Sequence, residues 1–173
     1  PLVAGLPGTP PQVVTPIDSR AGGKQTSGNG SAMDKKRAGI CHVNFSRGFR
    51  GGERQTLLMV KELSRAADQT VAVRKDAALA ERLSQLDRVD VIEVGKPYWQ
   101  SLPAFKRFSL VHAHEAKGAQ IAFLANFFYS VPYIITRRVM KIPKSDLFTR
   151  AVYVNARKVI AISSPVEEVM RQY

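Results

Sequence analysis

Three runs of residues have the types and spacing to do chemistry. The first is Asn44-Phe45-Ser46-Arg47-Gly48-Phe49-Arg50-Gly51-Gly52-Glu53. Gly51 and Gly52 allow a tight turn and a close approach of backbone to ligand. A helix that starts there presents free N–H groups and the positive end of its dipole. Arg47 and Arg50 add charge, so the run predicts a phosphate cradle. The spacing is not Gly-x-Gly-x-x-Gly, and no Lys-Ser/Thr follows the last glycine, which excludes the dinucleotide fingerprint and the Walker loop. The second run is Val111-His112-Ala113-His114-Glu115. Alternation along a strand points His112 and His114 to the same side. Two imidazoles beside a carboxylate suit hydrogen bonding to a substrate hydroxyl or phosphate, with His112 the more structural of the pair. A metal held with His42 or Glu115 as third ligand is the weaker alternative, because the spacing matches no zinc pattern. The third run is Thr136-Arg137-Arg138, followed by Lys141 and Lys144. Guanidinium forks match phosphate geometry; the plain alternative is a solvated basic loop.

These runs need elements to hold them. Apolar runs predict strands at 38–45, 70–74, 89–94, 110–114, 132–136 and 158–162. Helices are predicted between them. One covers 53–66, with Leu57, Leu58, Val60 and Leu63 as its apolar stripe. Another runs from a cap at Asp76 to Leu86, with Leu79, Leu83 and Leu86 on one face. A short helix is expected over 101–108, an apolar one over 117–129 and another over 146–155. The last is capped by Ser163 or Ser164, with Pro165 in its first turn. Strands alternating with helices imply a mostly parallel sheet covered on both faces, a Rossmann-like αβα sandwich. Ligands of such sheets bind at the carboxyl ends of the strands, where all three runs fall.

Composition narrows the class. The 173 residues carry a net charge of +12. Residues 1–32 hold only Arg20, Lys24 and Asp18 among their charged groups, so all but one unit of that charge belongs to 33–173. Such a surface favours anionic partners: phosphates, nucleotide sugars, nucleic acid or an anionic membrane. Residues 1–32 are rich in Pro, Gly, Ser and Thr and show no helix or strand period. They read as a disordered expression leader ahead of Met33, leaving 33–173 as one domain. The single cysteine, Cys41, lies in an apolar run and is expected to be a buried, inert thiol, which suits a cytoplasmic location. There is no apolar run long enough for a transmembrane helix.

The ordered set of motifs resembles family 4 glycosyltransferases. Arg50-Gly51-Gly52-Glu53-Arg54 resembles their Gly-Gly-x-Glu-Arg start. Leu110-Val111-His112-Ala113-His114-Glu115, with Val131-Pro132-Tyr133-Ile134-Ile135-Thr136 after a small-residue helix, is similar to the middle of their first domain. Val159-Ile160-Ala161-Ile162-Ser163 resembles the strand before their last serine-capped helix. The resemblance implies one half of a GT-B fold, the amino-terminal, acceptor-side lobe. The donor lobe, with the family's Glu-x7-Glu motif, is not in this sequence, so the piece is expected to be inactive alone. The implied activity is retaining transfer of a hexose from a nucleotide sugar, with no cofactor and no metal. Gly51 and Gly52 fall on the loop that approaches the donor diphosphate, and His114 on the histidine near the donor sugar. Arg137-Arg138 stand where many members carry a histidine, which points to an anionic acceptor. Arg47, Arg50, Arg137, Arg138 and Lys144 are its candidate contacts. A phosphorylated glycolipid or lipopolysaccharide-core sugar fits, as does a peripheral site on the inner face of the cytoplasmic membrane. Tyr98, Trp99, Phe105, Lys106, Arg107 and Phe108 are the candidate membrane patch. The rival is a basic Rossmann-like module for nucleic acid or phosphate without catalysis, although no RNP-like strand or recognition helix is present. Asn44 at the first strand end, in place of an aspartate, argues against a receiver-like domain.

Overall fold

The computed structural model describes residues 38–173 and the short strand Val13–Val14. The leader assigned to 1–32 otherwise lies outside the described residues. In chain order the elements are β1 (Val13–Val14), β2 (Ala38–Asn44), α1 (Gly51–Ser64), β3 (Gln69–Arg74), α2 (Ala78–Leu83) and β4 (Val89–Val94). A 3-10 turn, Tyr98–Ser101, then runs into α3 (Leu102–Phe105), followed by β5 (Phe108–Ala113), α4 (Ala116–Tyr129) and β6 (Tyr133–Arg137). The chain ends in α5 (Leu147–Val154), β7 (Lys158–Ala161) and α6 (Ser164–Arg171). The strands pair in parallel in the order β1-β7-β6-β5-β2-β3-β4. This is the expected Rossmann-like α/β sandwich. The edge strand β1, beside β7, has no signal in the sequence pattern.

The winding order decides where a ligand can sit. From the central β2 the chain steps outward through β3 and β4, then crosses back to β5 and leaves the other way through β6 and β7. β2 and β5 are therefore neighbours whose following connections part company, and a crevice opens at their carboxyl ends.

Alternation along the strands sorts the two faces. Cys41 and Val43 of β2 and Val111 and Ala113 of β5 join a large apolar core with Phe105 of α3, Ala119 and Ala122 of α4 and Val152 of α5. Val71 and Val73 of β3 pack on the other face with Val60 of α1 and Leu79 and Leu83 of α2. Cys41 is fully buried, as expected, and burial pushes its thiol up to about 12. On the α1 side of β2 and β5 stand His42, Asn44 and His112, all buried.

Several expectations need correction. The buried face of α1 is Glu53, Thr56, Val60 and Ser64, whereas Leu58 and Leu63 of the expected stripe are exposed. The helix packs over polar strand residues, so its inner face carries hydrogen-bonding groups. Asp76 does not cap α2; it takes a left-handed conformation, φ 61°, and Ala77 is the N-cap. The helix expected over 101–108 ends at Phe105, because Phe108 already pairs with Ala38 across β2 and β5.

At Gly118 helix α4 lies close against β2. A Cβ there would stand 3.0 Å from Val43 Cγ1 and 3.1 Å from the Val43 carbonyl oxygen. Backbone cannot swing aside as a side chain can. Gly118→Ala is expected to lower stability by about 1–3 kcal/mol through overpacking, read as a lower urea midpoint with unchanged slope.

Candidate functional site

The crevice at the switch point has a volume of about 550 Å³. Arg50, Gly51 and Gly52 line it from the β2 side, His114 and Glu115 from β5, and Arg137 and Arg138 from β6. The double-glycine turn, the histidine tip and the arginine pair thus meet at one place.

The floor is a hydrogen-bonded polar cluster. The Arg50 N–H donates to Glu53 Oε2 over 2.8 Å, closing the first turn of α1. Burial opposes ionisation of Glu53. The Arg50 N–H, the Ser46 side chain and the charge of Arg138 outweigh it and hold the carboxyl below the usual range. Thr56 donates to the Gly52 carbonyl at 3.0 Å and accepts from Asn44 Nδ2 at 3.1 Å and from Arg138 Nη2 at 3.0 Å. A hydroxyl has one donor and two acceptor positions, so Thr56 is fully used. Arg138 also donates to the His114 carbonyl oxygen at 3.2 Å and to His114 Nδ1 at 3.0 Å. A Cβ on Gly52 would come within 3.3 Å of Arg138 Nη1, so the bare glycine is what lets the guanidinium lie against the turn.

Beneath Arg138, His42, His112 and His114 cluster with ring centroids 4.2–5.3 Å apart. His42 Nδ1 lies 3.0 Å from His114 Nε2, and His42 Nε2 lies 2.9 Å from Gln69 Oε1. His112 Nε2 lies 2.7 Å from Thr136 Oγ1. Burial, then the neighbouring imidazoles and the Arg138 charge, push His114 well below an ordinary histidine. Burial leads the same causes in taking His112 down to about 3. His42 is lowered by burial against its bond with Gln69.

The three ring nitrogens that face one another lie within 4.8 Å, as a metal site would require. A divalent ion that took His114 through Nε2 would place the ring proton on Nδ1. Arg138 already directs a donor at that nitrogen. The arrangement suits a neutral hydrogen-bonded cluster rather than an ion.

The remaining candidates divide. Glu115 is no metal ligand: it is the N-cap of α4, accepting from the Lys117 and Gly118 N–H groups at 2.6 Å each. The two arginines point apart. Arg137 donates to the Tyr153 hydroxyl at 3.1 Å and to the Lys141 carbonyl oxygen, on the α5 side, while Arg138 reaches α1. Lys144 lines a second, smaller hollow of about 310 Å³ that shares Arg137, Val139 and Tyr153 with the crevice. Arg47 is elsewhere, lining a separate hollow with Asp76 and Glu93. Thr56 and Gln69 were not singled out in the sequence, and Asn44 only as the absence of an aspartate; a polar residue on a helix or strand carries no signal until its partner across the fold is known. The six residues of the expected membrane patch do not share an exposed surface. Phe105 and Phe108 are core, Tyr98 stacks on Phe45, and Trp99 is the exposed aromatic among them. Among the described residues no helix is long and apolar enough to cross a membrane.

No protein-family model matches the chain, and no curated protein matches it in sequence. Solved structures match its fold. Anabaena HepE in complex with UDP-glucose superposes with a TM-score of 0.65 at 16% identity, over 78% of this chain and 40% of that one. HepE with UDP gives 0.61 at 19% identity, over 77% and 40%. The apo form of the lipopolysaccharide outer core galactosyltransferase WaaB gives 0.55 at 13% identity, over 78% and 42%. The chain spans about two fifths of the length of these structures. At such identities the likeness is one of fold.

Proposed function

We propose that this chain is one lobe of a nucleotide-sugar glycosyltransferase, active together with a second lobe across the crevice. The observation that carries the reading is the meeting of Gly52, Arg138 and the start of α1 at the switch point. Transfer of a glycosyl group leaves negative charge on the departing diphosphate, and fixed N–H donors and cations stabilise such charge. Gly51 and Gly52 with the α1 N-terminus would face the diphosphate, and Arg138 supplies the cation. The fold likeness to HepE, solved with UDP-glucose, supports a UDP-sugar as the first donor to try.

The resemblance of the motifs supports a retaining, metal-independent reaction of the family 4 type. His114 then serves the crevice through Arg138, since both its ring nitrogens are engaged. Arg50 at the mouth, Arg137 and the neighbouring Lys144 suit an anionic acceptor, such as a phosphorylated glycolipid or lipopolysaccharide-core sugar. Arg47 is dropped from that set because it faces another hollow.

The test uses the whole gene product that contains this chain. It is incubated with UDP-, GDP- and ADP-sugars, and release of nucleoside diphosphate is followed with and without candidate acceptors and with chelator. Gly52→Ala adds a methyl that displaces the Arg138 guanidinium while favouring the helix. It is expected to lower kcat/KM about tenfold with no loss of thermal stability, one weakened charged hydrogen bond. Absence of turnover with every donor, or a Gly52→Ala enzyme equal to the parent, would overturn the proposal.

A further inference from the structure

We infer that His42 and Gln69 are positioning residues that act through His114 to hold Arg138 against Gly52. This deepens the reading above and relies on it for the identity of the anion.

The inference comes from following hydrogen-bond direction through the cluster. A guanidinium only donates. His114 Nδ1, 3.0 Å from Arg138 Nη2, must therefore be the bare nitrogen of a neutral ring, and the ring proton sits on Nε2. That N–H meets His42 Nδ1 at 3.0 Å, which must accept. The proton of His42 is then on Nε2, and it donates to Gln69 Oε1 at 2.9 Å. At this end the amide has no freedom to turn over. Gln69 Nε2 donates to the Ala67 and Asp68 carbonyl oxygens at 3.2 and 3.1 Å, and carbonyl oxygens only accept. The two ends of the chain, Arg138 in the crevice and the backbone at the start of β3, favour the same direction, and together they fix it. In that direction every contact from Arg138 Nη2 to Gln69 Nε2 pairs a donor with an acceptor; in the reverse, a donor meets a donor at Arg138.

Reversal has a definite consequence. If His42 donated to His114, the His114 ring would carry its proton on Nδ1 and confront a donor of Arg138. The guanidinium would lose one of its holds and swing off the turn. Arg138 makes no direct ion pair among the described residues; these neutral acceptors and Thr56 hold it, with the charge of Glu53 nearby. Gln69 is 2% exposed and lies at the opposite end of β3 from the crevice. It touches no ligand and can act only along this chain.

The experiment is histidine and arginine 15N NMR on the chain, paired with calorimetry against inorganic pyrophosphate. In the parent, His42 and His114 are expected in the Nε2–H form, and Arg138 should show resolved, slowly rotating guanidinium protons. Gln69→Leu removes the acceptor at the far end. His42 and His114 are then expected as tautomer mixtures, the Arg138 protons should collapse to one averaged signal, and pyrophosphate affinity should fall about tenfold, the loss of one hydrogen bond to a charged group. An Nδ1–H form of either ring in the parent overturns the inference even if the variant does not fold. A folded Gln69→Leu chain with an unchanged Arg138 signal also overturns it. If the parent binds no pyrophosphate, the phosphate reading of the crevice fails, and the Arg138 signal alone decides the role of Gln69.

Discussion

Between pH 7.5 and pH 5.5 the chain is expected to lose folding stability, by roughly 1 kcal/mol or more. His42, His112 and His114 are buried, and all three take up a proton less readily than an ordinary histidine near 6.5. The sign follows from linkage: a group with a lower pKa folded than unfolded binds more protons in the unfolded chain over that interval, so stability falls as pH falls. The contribution is fully present above the unfolded value and erodes on acidification toward the folded values, about 3 for His112. Each unit of pH below 6.5 is worth up to about 1.4 kcal/mol per histidine. His112 supplies on the order of 1 kcal/mol over the stated interval, and His114 and His42 add to it in the same direction. Glu53, held low, extends the loss into more acidic solution. Urea unfolding at the two pH values measures this directly. Equal midpoints at pH 7.5 and 5.5 would mean that the histidines titrate normally and are not packed as described.

The chemistry-bearing runs were legible because strand–turn–helix geometry writes itself locally. Gly51-Gly52 marks the start of α1, and alternation puts His112 and His114 on one side of β5. The switch point followed from topology, since β2 and β5 are separated by β3 and β4 in sequence and adjacent in the sheet. What was not legible is long-range and polar. Leu58 and Leu63 looked like a core stripe, yet α1 buries Glu53 and Thr56 instead, because the sheet beneath it presents Asn44 and His42. Hydrophobic periodicity assumes an apolar partner face, and a partly polar one leaves Val60 and Leu57 inside but turns Leu58 and Leu63 out. Arg137 and Arg138 looked like one paired site; neighbouring residues at a strand end point to opposite faces, so only Arg138 reaches the glycine turn. Glu115 beside two histidines looked like a ligand, but an extended residue ahead of a helix has its carboxylate claimed by the first N–H groups.

Arg138→Met is expected to cut kcat/KM of the whole gene product about 100-fold or more, with most of the loss in kcat. On the proposed reading the guanidinium lies where negative charge would develop on the leaving group. Removing one such donor costs on the order of 3 kcal/mol in transition-state stabilisation. Methionine keeps the apolar stem, so the loss is electrostatic rather than one of packing. Three acceptors are vacated together: Thr56, the His114 carbonyl oxygen and His114 Nδ1. The same change alters titration with predictable sign. Arg138 helps depress His112 and His114 and helps keep Glu53 ionised. Its loss should therefore raise all three pKa values, making the variant less sensitive to acid around pH 6 through the histidines and also below pH 5 through Glu53. Arg138→Lys retains charge without the planar fork, and should fall between parent and Met in rate. Stopped-flow or coupled assay of donor turnover reads the rate, and urea midpoints against pH read the titration. A Met variant with parental kcat would place the working cation elsewhere in the crevice; a variant whose acid profile matches the parent would show that Arg138 does not sit against the histidines.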